Sequence, residues 1–190
     1  MTRLFTAAAA FTVAATVIVS ATKIETNRTK TFDFSRLKTW DWSPAGPGEI
    51  KVWLTAQSKS EPVQREYAPV IVRAAEDALS RRGYTKPSGG PPDFVLTYYV
   101  LITASTQSHE IGQFLPATLE WGLPPFAAQT QSLRVYPQGT VVFDVASPDK
   151  DTIVWRAVAQ AEIELQRTSE KRAARLTEVV NEVLNKLPRK

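Results

Sequence analysis

The sequence predicts an α+β fold, a two-layer sandwich whose mainly antiparallel sheet of about four to five strands carries two helices on one face. Three observations lead there. Residues 94–104 alternate apolar side chains with the strand period of two, and a second alternating pair flanks a polar turn at 147–151. Two further stretches repeat apolar residues at helical spacing along a single stripe, so each helix lies on a layer rather than inside one.

From Ile24 to Trp42 the chain reads as extended. Phe32 and Phe34 flank Asp33, and Trp40 and Trp42 flank Asp41, both in the strand period. Leu37 breaks the phase between them, which predicts a bulge or bend near Ser35-Arg36. The run Ser43-Pro44-Ala45-Gly46-Pro47-Gly48 is a turn. Residues 50–59 follow neither period and read as loop or irregular edge. Ser60-Glu61-Pro62 resembles a helix start, but Pro69 interrupts the pattern, so the helix is expected from Pro69. Its buried face would hold Tyr67, Ile71, Ala74, Ala75, Ala78 and Leu79, with Gly83 as the left-handed stop.

After a Pro/Gly linker at 86–92, Asp93 opens the clearest strand, with Phe94, Leu96, Tyr98, Val100, Ile102 and Ala104 on one face. The other face, including Val95, Tyr99 and Leu101, is too apolar for open solvent, so something is expected to cover part of it. Val141, Phe143 and Val145 begin a hairpin that returns over Ile153 to Leu165, where Trp155, Ala157, Ala159 and Ala161 oppose Arg156, Gln160 and Glu162. Thr168-Ser169 can cap a last helix whose stripe runs from Ala173 and Leu176 to Leu187, stopped by Pro188. The last three strands make a meander. The first reaches the Asp93 strand through a helix, which permits a parallel pair with a right-handed crossover.

The N-terminus has its own pattern. Arg3 precedes an uncharged apolar run, Leu4 to Val19, closed by Val19-Ser20-Ala21, as in a secretory signal peptide. Leu4 to Ala21 also reaches the lower length limit of a spanning helix, so an uncleaved anchor competes with cleavage. The expected organisation is a signal or anchor over 1–21, then a single domain over 22–190 with an apolar Pro-rich insertion at 110–135. The protein is expected to be exported and periplasmic, touching the inner membrane only through an uncleaved segment 4–21.

Composition narrows the chemistry. The chain contains no Cys, which removes thiolate nucleophiles, zinc–thiolate sites and disulfides. A net charge of +4, with scattered basic residues, points away from nucleic acid. The single histidine, His109, is followed by Glu110 and reads as a surface residue rather than a general base. Asp149 and Asp151 fit turn chemistry, the Gly of a calcium loop is missing, and Asp144 reads as an outward strand residue. Phosphate loops, nucleophile elbows and zinc helices are absent from the sequence. No catalytic, cofactor-binding or metal residue is therefore assigned, and no cofactor is expected.

Turn chemistry does not explain residues 111–135. Phe114, Leu119, Trp121 and Phe126 sit there among prolines, too many apolar side chains for a free loop. They read as a lid over the second sheet face or as a contact surface for a partner.

Several phrases in order carry a resemblance: residues 33–42 (Asp-Phe-Ser-Arg-Leu-Lys-Thr-Trp-Asp-Trp), 92–99, 139–145 and 153–159, together with Arg82-Gly83-Tyr84. The set resembles the bacterial envelope proteins grouped as domain-of-unknown-function family 4136. The resemblance implies a Gram-negative envelope protein, mostly lipoproteins without assigned activity, and it offers no catalytic residue to carry over. Two departures stand out. Thr22 occupies the place of the lipobox cysteine, and residues 111–135 lack the Gly-rich character associated with that region of the family.

The expectation is a non-enzymatic envelope domain acting through contacts with an unknown envelope protein or with the cell envelope itself. Its alternative is a carrier of an apolar small molecule held between the sheet and segment 110–135. A hydrolase built on His109 ranks last.

Overall fold

The computed structural model describes residues 22–107, 134–148 and 152–188. Six strands form one sheet: β1 (Lys23–Arg28), β2 (Trp40–Trp42), β3 (Gly48–Trp53), β4 (Phe94–Gln107), β5 (Arg134–Ser147) and β6 (Thr152–Glu162). Their order is β1-β6-β5-β4, with β2 and β3 following one another along the free edge of β4. The meander β4-β5-β6 is antiparallel, as its alternation predicts. β2 and β3 both run parallel to β4. The α+β reading holds, with a mixed sheet and one strand more than expected.

Two helices, α1 (Glu61–Arg81) and α2 (Ser169–Leu184), cover one face. At one end Arg81 donates to Asn181 at 2.6 Å and Arg82 to the carbonyls of Asn185 and Leu187. At the other, the Ser169 hydroxyl donates to Glu66. The helices therefore run side by side in the same direction. Between them and the sheet, Phe94, Leu96, Tyr98, Phe143, Val145 and Trp155 meet Ile71, Leu79, Val180, Val183 and Leu184, all fully or nearly fully buried. Each such large side chain stabilises by roughly 1.5–3 kcal/mol.

Three local readings differ from the structure. The stretch 24–42 is not one bent strand. β1 pairs antiparallel with β6 at one edge of the sheet, and β2 pairs with β4 at the other. A 3-10 turn over Phe34–Arg36 separates them, with the Ser35 N–H satisfied by the Asp33 side chain. Asp93 then ties β2 to β4, accepting from the backbone N–H groups of Lys38 and Thr39 at 2.8 and 2.7 Å. Those bonds, Thr39 first, hold its carboxyl below the ordinary range.

The stretch read as loop contains most of β3, which begins at Gly48 in the run read as a turn. Its outward N–H groups are taken by side chains from the start of α1: Ile50 donates to Gln64 at 2.5 Å and Val52 to Ser60 at 3.0 Å. A helix terminus thus closes a strand edge that would otherwise be exposed. Finally, α1 begins at Glu61, with Pro69 inside it on the exposed side. An exposed proline costs the helix a hydrogen bond, and packing of Ile71 to Leu79 outweighs that cost.

Candidate functional site

The inward side chains change size along the sheet. Toward the β2 end they are large: Phe94, Tyr98, Phe143 and Trp155 fill the space below the helices. Toward the β3 end the middle strands offer Gly139 and Val141 on β5 and Ala159 and Ala161 on β6. Small floor residues beneath helices held at a fixed distance leave a void. A cavity of about 490 Å³ lies there. That volume is within the range of small-ligand pockets.

Its floor is completed by Ile50 and Val52 of β3 and Val100 and Ile102 of β4. Val63, Tyr67 and Ile71 of α1 and Leu176 and Val179 of α2 form the roof. The connection from β6 to α2 supplies one wall through Ile163 and Leu165. Gly139 makes room for that wall, since a Cβ there would come within 3.3 Å of the Ile163 side chain.

Charged groups gather at the rim. Arg167 pairs with Glu164 at 2.6 Å, and Arg175 bridges Glu178 and Glu182. Arg172 differs, since its acceptors are all uncharged: the Tyr67 hydroxyl at 3.0 Å and the carbonyls of Leu165 and Arg167. The Tyr67 bond, foremost, raises its already high pKa, so it stays cationic at every accessible pH. Thr22 lies at the same rim, accepting from Arg175 Nη2 at 2.6 Å. Among the described residues no three His, Asp or Glu side chains converge as metal ligands, and no helix is long and apolar enough to cross a membrane.

Phe114, Leu119, Trp121 and Phe126, together with His109, Glu110, Asp149 and Asp151, lie outside the described residues, and so does any space between the sheet and segment 110–135. Tyr99 and Leu101 stand on the sheet face opposite the helices, both 43% exposed, beside Trp53 at 76%. Asp144 faces that side too, as expected, but it is buried against Arg156. Sequence reasoning placed Tyr67, Leu176 and Val179 on helical stripes yet found no cavity between them and the sheet. The available signal was the loss of side-chain volume from Phe143 to Gly139 and along Ala157, Ala159 and Ala161.

Fold and cavity define a class, the α+β sandwich with a ligand-sized apolar space between its layers. The model of the domain of unknown function DUF4136 matches residues 24–189, and the chain belongs to that family. Solved structures similar to it include the PelC dodecamer from Paraburkholderia phytofirmans, at 9% identity and a TM-score of 0.41, covering 90% of this chain and 99% of that one. A neuraminyllactose-binding hemagglutinin homolog from Helicobacter pylori is 15% identical, with a TM-score of 0.38, covering 80% and 79%. No curated protein matches the chain.

Proposed function

We propose that the protein is a non-enzymatic binding domain of the bacterial cell envelope that holds an apolar small molecule between its sheet and its helices. The observation that carries this is the cavity of about 490 Å³, walled by aliphatic side chains from four strands and both helices. The signal pattern over residues 1–21 supports export, and membership of a family without assigned activity is compatible with a binding role. The ligand would then lie on the helix side of the sheet. A second reading, contact with an envelope protein, is favoured by Trp53, Tyr99 and Leu101, which expose large apolar side chains on the opposite face.

The neutral dye Nile red tests the cavity. Purified protein is expected to enhance its fluorescence saturably with one site per chain. Ala161→Phe, which places a ring over the floor, is expected to abolish the enhancement while preserving the circular dichroism of the fold. Failure of the unsubstituted protein to bind, or equal binding by Ala161→Phe, would overturn the proposal.

A further inference from the structure

The cavity's walls and rim differ in chemistry, and together they describe a ligand. We infer that the site takes a single-chain amphiphile with a carboxylate head, its tail lying along the sheet and its head at Arg172. This inference rests on reading the cavity as a ligand site.

The tail follows from the walls. Ile50, Val52, Val100 and Ile102 on the sheet face Ile71 and Leu176 on the helices, with no charged side chain among them. Such walls reward methylene groups and leave a polar tail without partners. The volume is that of one small ligand, which favours one chain over a multi-chain lipid.

The head follows from an asymmetry among the arginines. Arg167 and Arg175 are already neutralised by Glu164 and by Glu178 with Glu182. Arg172 is held by a hydroxyl and two carbonyls, and Glu66 and Glu170 act on its charge only from beyond ion-pair distance, so it lacks the direct carboxylate partner that the other two arginines have. A carboxylate at that position would make the charge-assisted bond these neutral groups do not. The acidic side chains that also line the rim restrict the head further. Glu66, which accepts from Ser169 and acts on the charge of Arg172, would repel a dianion more than a monoanion. A carboxylate therefore fits better than a phosphate monoester.

Competition against bound Nile red, read alongside calorimetry, tests both halves. Octanoate, decanoate and dodecanoate are expected to displace the dye with affinity rising by about fourfold per methylene. Dodecanoate is expected to bind roughly tenfold or more tightly than dodecanol, and also more tightly than dodecyl phosphate. Arg172→Gln should remove the preference for dodecanoate and leave dodecanol affinity unchanged, while Arg172→Lys should retain part of it. Dodecanol binding as tightly as dodecanoate in the unsubstituted protein would overturn the inference yet leave the apolar cavity standing. A flat chain-length series, or dye binding with no displacement by any of these probes, would overturn it as well. Should Arg172→Gln not fold, the acid–alcohol comparison in the unsubstituted protein decides alone.

Discussion

Asp144 points away from the helices, yet only 5% of it is accessible, and it is the one buried charged residue among the described residues. Its carboxylate is gripped by Arg156, with Nε and Nη2 each 2.6 Å from a carboxylate oxygen. The two face each other directly across β5 and β6. Bidentate geometry makes this pair stronger than an ordinary surface bridge. Its halves are unequal, because the Arg156 side chain is 49% exposed and the Asp144 side chain 6%. Removing Arg156 strands a buried charge, whereas removing Asp144 lets the guanidinium turn to water. Arg156→Met is therefore expected to cost about 3 kcal/mol in urea unfolding and Asp144→Val about 1 kcal/mol or less, with the double substitution close to the latter. Equal costs for the two single substitutions would show that the asymmetry of burial does not govern the pair. The sequence placed Asp144 and Arg156 on one outward face. Their pairing was not legible, because register depends on the bulge at which Trp155 pairs with Val145 and Ile153 with Ala146, leaving Val154 unmatched on β5 while its carbonyl accepts from Thr29.

At the scale of elements, legibility tracked length. β4 and the β5–β6 hairpin alternate over many residues, and their pairing follows from pattern alone. β3 was missed because its outward bonds are supplied by Ser60 and Gln64, residues that no strand pattern singles out. Pro69 misled for a related reason: local propensity argued against a helix that tertiary packing supports. What starts β3 is a backbone device. Gly48 has φ +147°, and a Cβ on it would lie 2.0 Å from the Tyr98 carbonyl oxygen. Pro47 meanwhile accepts the Tyr98 N–H at 2.9 Å. Side-chain addition there would strain the backbone and push β3 off β4. Gly48→Ala is expected to destabilise by about 3 kcal/mol, and hydrogen exchange should show protection lost first in residues 48–53. A loss spread evenly over the sheet would mean that β3 does not dock as a unit through this contact.

Across the whole molecule, the two layers are locked at one end and spaced apart at the other. The locked end packs Phe143 and Trp155 of the sheet against Val183 and Leu184 of α2, and there the bonds from Arg81 and Arg82 join the two helices to each other. The spaced end holds the cavity above Gly139, Val141, Ala159 and Ala161. Inward and outward positions can be read from a sequence, but the distance between layers cannot, since it is set jointly by large side chains elsewhere. That is why the candidate site was the least legible part of the chain. The division also has an energetic consequence. A void between packed layers forfeits dispersion contacts, so a protein that keeps one sacrifices stability for the space. Filling it from the floor, away from the locked end, should restore those contacts without disturbing the core. The same Ala161→Phe substitution that blocks Nile red is thus expected to raise the melting temperature by about 2–4 °C. A lower melting temperature with binding lost would indicate overpacking, and the space would then be a closely fitted part of the core rather than room reserved for a ligand.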